Sequence, residues 1–267
     1  MSVVILQDEI VHYEVLGRGS GKPLFFLHGW VGSWRYWIPT MQAASTSFRT
    51  YAIDLWGFGD TSKFQNYYSL EQQVNLLDQF MDKLGIGRIA LIGHGLGAIV
   101  GLMFAERFKS QSLVDRLMAI GLPDGYNTVN ARLSSASTEE LADWLLSRSS
   151  DSDATRSEAF KADQEAIQVS MSNLSELDML TLSRSINIPC LMVYGQNDPA
   201  IEDLPFQDQM DTLPQHIHQI VFEDSGHFPM LDEPSKFNRL LTDFLSLSSG
   251  TSPRQLQIKE EWKRRIR

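Results

Sequence analysis

Residues 89–101 read IALIGHGLGAIVG. Ile89, Ala90, Leu91 and Ile92 are four consecutive apolar residues, the composition of a strand buried on both faces. Gly93-His94-Gly95-Leu96-Gly97 follows at once, and the apolar stretch beginning at Ala98 continues with helical character to Phe108. Strand, glycine-rich turn and helix in this order form an elbow. Its central residue stands exposed at the strand end, at the spacing G-x-S-x-G that presents a nucleophilic serine. Here the centre is Gly95, which has no side chain.

The surrounding pattern alternates. Ser2–Leu6 and Ile10–Leu16, broken by Asp8-Glu9, predict a hairpin, and Pro23–Leu27, Thr50–Leu55, Arg88–Ile92, Leu113–Ile120, Pro189–Tyr194 and Ile217–Phe222 predict strands. Between them, helical spacing predicts helices over Ser33–Ala44, over Leu70–Leu84 opened by Ser69 and stopped by Gly85, and over Pro234–Leu247. This rhythm implies an α/β chain with a mostly parallel central sheet covered on both faces, whose ligands sit at the carboxyl ends of the strands. Residues 123–186 break the rhythm. They lack strand signals, are rich in Ser, Asp, Glu and Ala, and show helical spacing around Leu141–Leu145, Ile167–Met171 and Leu174–Leu180. They read as a helical insertion between two halves of one core, 1–122 and 187–267.

Composition narrows the function classes. The 267 residues carry a net charge of −10, and such a surface repels nucleic acid. The single cysteine, Cys190, excludes an intrachain disulfide and fits a reducing compartment. The first residues show no signal-peptide pattern, and no run of 18 or more apolar residues predicts a membrane span, so the expectation is a cytoplasmic protein. No metal constellation, phosphate loop or dinucleotide fingerprint is present, and no cofactor is expected. The tail PRQLQIKEEWKRRIR holds six Arg or Lys against two Glu, with Ile258, Trp262 and Ile266 four apart. A short helix there would dock on its own domain, on a second subunit as a homodimer, or on an anionic membrane surface.

Five motifs now line up: His28-Gly29-Trp30-Val31-Gly32, Asp54-Leu55-Trp56-Gly57-Phe58-Gly59, Gly93–Gly97, Gly195-Gln196-Asn197-Asp198 and Asp224-Ser225-Gly226-His227. In this order the chain resembles the α/β-hydrolase fold superfamily, in particular its capped esterase, C–C hydrolase and epoxide-hydrolase-like members. The resemblance implies a triad acid at Asp198, a base at His227, a nucleophile position at Gly95, oxyanion N–H donors at Trp30 and Leu96, a structural turn residue at Asp54, and a cap in residues 123–186. His28, Gly29, His94, Trp34 and Trp37 are the candidate pocket residues. For His28 and His94, packing against the turns competes with touching substrate, and Trp30, Trp34, Trp37 and Trp56 divide between an aromatic pocket and ordinary packing. The alternatives are a loop histidine bonded to backbone for His227 and a turn cap for Asp198. Cys190 in an apolar strand and Ser33 at a helix start are not substitutes for the serine. Glycine relaxes the elbow, and the vacated volume would admit a water. Three readings follow: an enzyme acting on a small apolar or aromatic carbonyl compound with His227 as base, a non-catalytic ligand binder, or a serine hydrolase silenced by replacement at position 95.

Overall fold

A computed structural model describes residues 2–147, 150–201, 203–248 and 251–258. Its centre is an eight-stranded sheet of β1 (Ser2–Leu6), β2 (Glu9–Leu16), β3 (Lys22–Leu27), β4 (Phe48–Ile53), β5 (Ile89–His94), β6 (Val114–Ile120), β7 (Cys190–Gly195) and β8 (Ile217–Phe222). The order across the sheet is β1-β2-β4-β3-β5-β6-β7-β8. The β1–β2 hairpin and the β2–β4 pair are antiparallel, and every pairing from β4 to β8 is parallel. The sheet centre is dry because its strands are apolar on both faces: Leu24 to Leu27 and Leu91 to Ile92 are fully buried.

The helices are α1 (Ile38–Ala44), α2 (Leu70–Leu84), α3 (Leu96–Arg107), α4 (Arg132–Ser135), α5 (Thr138–Leu145), α6 (Ser150–Ala159), α7 (Gln164–Leu174), α8 (Met179–Ser185), α9 (Pro229–Asp232) and α10 (Pro234–Leu245). Helix α1 packs against α10, while α2 and α8 pack against α3, so the two faces of the sheet carry separate helical layers. Ser69 caps α2 by accepting from Gln72 N–H, and Gly85 ends it in the left-handed region at φ 63°.

The chain leaves β3 towards β4 on one side of the sheet, and β5 lies on the other side of β3. The crevice at such a reversal is where open α/β sheets bind ligands. The loop after β3 and the elbow after β5 both end there. Helices α4 to α8 occupy the connection from β6 to β7, and a single antiparallel bridge pairs Val129 of that connection with Ile201 beyond β7.

One expectation is corrected. Ser33–Ala44 is not one helix but a 3-10 turn over Trp34–Trp37 followed by α1, because Pro39 in the first turn of α1 favours a fresh helix start there. The last helix, α10, starts at Pro234 as expected and ends at Leu245, with the separate turn of α9 before it. His218 lies within β8, where its Nε2 meets the Leu256 carbonyl at 3.2 Å. No helix among the described residues is long and apolar enough to cross a membrane. Of the tail, the stripe residues Trp262 and Ile266 lie outside the described residues.

Candidate active site

The elbow is built by close backbone approach. A Cβ at Gly93 would lie 2.2 Å from the Gly97 carbonyl oxygen, and one at Gly97 would lie 2.5 Å from that of Leu27. Helix α3 therefore descends directly onto β3 and β5. Gly95 sits at φ 50°, ψ −111°, a region that costs a non-glycine residue about 1–3 kcal/mol. Its N–H donates to Ile120 at 2.8 Å. A Cβ on Gly95 would meet Trp30 Cε3 at 3.1 Å and Cζ3 at 3.2 Å, so an indole edge borders the space beside it. Leu96 begins α3, and neither its N–H nor that of Trp30 has an acceptor among the described residues. The first N–H groups of a helix are free in this way and carry partial positive charge.

The loop after β3 is oriented by a histidine. Leu55 N–H donates to His28 Nε2 at 3.0 Å, so that nitrogen is the acceptor and the ring proton is on Nδ1, which donates to the Gly29 carbonyl at 2.7 Å. Gly29 C=O and Trp30 N–H belong to one trans peptide and point in opposite directions. Fixing the carbonyl therefore fixes the aim of the Trp30 N–H. Burial lowers the His28 pKa, against the opposing pull of Asp54, and keeps the ring neutral for this role. Both nitrogens of His28 thus serve the backbone. The Trp30 ring is held separately, its Nε1–H donating to Ser170 Oγ of α7 at 3.0 Å.

The third wall comes from the ends of β7 and β8. A Cβ at Gly195 would stand 1.9 Å from the Gly226 carbonyl oxygen. Asn197 N–H donates to Ser225 at 3.0 Å, and Gly226 N–H to Asp232 Oδ2 at 2.9 Å. These contacts place His227 Nδ1 2.8 Å from Asp198 Oδ2, with side chains 1% and 5% exposed. Asp198 Oδ1 accepts from Ala200 N–H at 2.8 Å, so the carboxylate caps its own turn and pairs with the imidazole at once. A carboxylate can only accept, which puts the proton on Nδ1 and leaves Nε2 of His227 as a base. No partner occupies that Nε2 among the described residues.

The remaining candidates have other placements. Asp54 is fully buried and accepts from Trp34 N–H at 2.8 Å, Asp60 N–H at 3.1 Å and His12 Nδ1–H at 3.1 Å, the work of a turn organiser. Trp34 packs on His12 and under Arg35, and Trp37 on Phe26 and Tyr36. Both tryptophans are buried, with their rings packed on these side chains. Trp56 stacks on Tyr67 with centroids 5.0 Å apart. Ser33 caps the 3-10 turn by accepting from Arg35 N–H. Cys190 is buried in β7, and burial pushes its thiol up to about 12, away from thiolate chemistry.

Several contacts that no motif announces converge here. His94 Nε2 lies 2.9 Å from the His227 carbonyl, and Nδ1 lies 3.0 Å from the Tyr36 hydroxyl. His12, Asp54 and Asp60 bring ligand atoms within 4.8 Å of one another, a grouping that joins β2 to the loop after β4. Its donors are largely spent, since His12 pairs with Asp54 and Asp60 with Lys161 Nζ at 2.9 Å. A cleft of about 470 Å³ lined by Trp144, Ser147, Asn197, Pro199, Gly226 and Asp232 flanks the loops that carry Asp198 and His227.

Sheet order, elbow and the paired histidine and aspartate together define a doubly wound α/β protein of hydrolase architecture. A model of the alpha/beta hydrolase family matches residues 24–240, and the chain belongs to that family. It is 29% identical over 254 residues to the 2-hydroxy-6-oxo-2,4-heptadienoate hydrolase of Pseudomonas putida, covering 85% of this chain and 90% of that one. To the soluble epoxide hydrolase of a Corynebacterium species it is 30% identical over 129 residues, 45% of this chain and 44% of that one. Among solved structures it resembles a serine-to-glycine mutant of the N-acyl homoserine lactonase AidH complexed with N-hexanoyl homoserine lactone, with a TM-score of 0.78, 19% identity, and coverage of 91% of this chain and 96% of that one.

Proposed function

We propose that this chain is an α/β-hydrolase-family enzyme that acts on a small apolar or aromatic carbonyl compound without a serine nucleophile. The observation that carries the reading is the buried His227–Asp198 pair, 2.8 Å apart, with Nε2 left unpaired. A pure binding protein gains little from holding an oriented base. In the proposed step His227 Nε2 takes a proton from a water, whose oxygen bonds to the substrate carbonyl carbon. The carbonyl electron pair moves onto its oxygen, which accepts from the N–H groups of Trp30 and Leu96. Collapse of that intermediate expels the leaving group, which takes the proton back from His227. Residues 123–186 act as a cap over this site, with Ser170 and Thr155 of the cap touching the loop after β3. The hydrolase of Pseudomonas putida, named for a dienoate that carries an oxo group, supports a carbonyl substrate. The lactonase structure supports the idea that a glycine-bearing scaffold of this fold still holds a carbonyl ligand.

Turnover of short-chain aryl esters and lactones is the test. Rates for such a base are modest, about 10³–10⁴ over water, the level left to binding and an oxyanion hole. His227→Ala is expected to abolish turnover, and equal rates in variant and parent overturn the reading. A second reading, a ligand binder without turnover, draws on the indole edge against Gly95. Binding without turnover in the parent selects it. A gain of several powers of ten in Gly95→Ser, with labelling by a serine-directed phosphonate, selects a silenced serine hydrolase instead.

A further inference from the structure

Tyr36 lies in the 3-10 turn after β3 and carries no sequence motif, yet its hydroxyl is fully buried at the junction of three loops. Gly29 N–H donates to it at 2.6 Å, and His94 Nδ1 lies 3.0 Å away. An amide N–H can only donate, so the Tyr36 oxygen accepts there and must place its own proton on another acceptor. The available acceptor is His94 Nδ1. That nitrogen is then unprotonated, and the ring proton of His94 is on Nε2, which donates to the His227 carbonyl at 2.9 Å. A carbonyl can only accept, so the direction of the chain is closed at both ends: Gly29 N–H to Tyr36, Tyr36 O–H to His94, His94 N–H to His227.

We propose that Tyr36 and His94 are positioning residues that lock the loop bearing the Trp30 N–H to the loop bearing the His227 imidazole through this one-directional relay. The proposal rests on the reading of His227 as the base and names what holds it against the oxyanion donors. The ring also packs the junction. A Cβ on Gly29 would lie 2.9 Å from His94 Nδ1, and the His94 and His227 rings are 4.6 Å apart between centroids. The relay needs a neutral His94. Burial first, then the His227 and His28 rings, hold its pKa well below the usual histidine value, while its bond to the His227 carbonyl opposes them. Burial likewise raises the Tyr36 hydroxyl well above 10, so its proton stays in place. The titratable groups facing His94 are His227, His28 and Tyr36; Phe228 packs on it with centroids 4.8 Å apart.

The experiment uses the full chain and reads two things. Nitrogen-15 resonances of the His94 ring at pH 7 should show a protonated Nε2 and a bare Nδ1. In Tyr36→Phe the Gly29 amide should exchange faster and the His94 tautomer preference should weaken. A protonated Nδ1 in the parent, or a Gly29 amide equally protected in the variant, overturns the relay. In parallel, Tyr36→Phe should lower kcat about 10–100-fold while KM stays within about twofold, as small misplacements of reacting groups do. Unchanged kcat overturns the positioning role with the base assignment intact. A parent without turnover instead sinks the proposed enzyme function, and the tautomer arm still decides the relay. Should Tyr36→Phe fail to fold, the parent's His94 tautomer decides it alone.

Discussion

At the scale of single residues, the site depends on what glycine omits. Gly29 leaves room for the His94 ring, and Gly29→Ala puts a methyl 2.9 Å from a buried nitrogen that no flexible side chain can withdraw. The expected loss is about 1–3 kcal/mol, typical of overpacking, and thermal denaturation should fall by roughly 2–4 °C per kcal/mol for a domain of this size. An unchanged Tm would mean that the His94 ring is not held where its hydrogen bonds place it. Gly95 differs, because backbone and neighbour oppose a side chain together: φ is 50°, and Trp30 stands 3.1 Å from the Cβ position. Gly95→Ser is therefore expected to fold with a Tm several degrees lower, from strain of about 1–3 kcal/mol. A Tm equal to the parent's would show that elbow and indole already suit a serine. His227 and Asp198 were legible in the sequence because each stands in a short motif beyond a strand. Tyr36 was not, since it occupies an ordinary position in an apolar turn, and its importance arises only when Gly29 and His94, 7 and 58 residues away, converge on its hydroxyl.

At the scale of elements, strands were more legible than the helices between β6 and β7. Continuous apolar runs such as Leu24–Leu27 have few alternatives to a buried strand, and Ser69 with Gly85 brackets α2 at both ends. Helix α6 reads SDSDATRSEA, without a run of periodic apolar residues, and gains its place from contacts with the 3-10 turn after β3. Helix α7 makes the more specific contact, because Ser170 accepts from the Trp30 indole at 3.0 Å while donating to Ile167 at 2.8 Å. Ser170→Ala leaves a buried N–H unpaired, at a cost of about 1–3 kcal/mol. Urea unfolding should register that loss, and Trp30 emission should shift as the ring loses its partner. A variant as stable as the parent would show that the indole finds another acceptor. The β7–β8 corner is tighter still. With Gly195 1.9 Å from the Gly226 oxygen at the Cβ position, Gly195→Ala must push the two loops apart. The change should cost stability and separate His227 from Asp198, so any turnover should fall as far as it does in Asp198→Ala. Retained activity would show that the pair does not depend on this approach.

At the scale of the whole molecule, the helices between β6 and β7 are held to the core by charge as well as by packing. Glu158 of α6 is 10% exposed at its side chain, lies 3.1 Å from Arg35 Nε and from Lys161 Nζ, and receives the Ser33 hydroxyl at 3.4 Å. Lys161 reaches on to Asp60 at 2.9 Å, and Asp60 belongs to the loop that Asp54 organises. The cluster joins the 3-10 turn, the loop after β4 and α6. Its outer members, Lys161, Arg35 and Asp60, are 25%, 28% and 37% exposed at their side chains, so each pair should contribute no more than about 1 kcal/mol and should weaken with added salt. The signs of its titration are fixed. Burial alone would raise the Asp60 carboxyl, but Lys161, His12 and Arg35 outweigh it and hold the pKa below 3.8. Burial alone would lower Lys161, but Asp60 and Glu158 outweigh it and hold the pKa above 10.5. A depressed carboxyl contributes stability above its unfolded pKa and loses it as pH falls through the folded one; a raised lysine contributes below its unfolded pKa and loses it as pH rises through the folded one. The stability difference between parent and Asp60→Asn should therefore stay level from about pH 5 to 9, shrink as pH falls below about 4, and shrink again above about 10.5. Denaturant unfolding across that range measures it at low and high salt. A difference that persists undiminished at pH 2.5, or that ignores salt, would mean that Asp60 ties α6 down through backbone contacts and not through its charge.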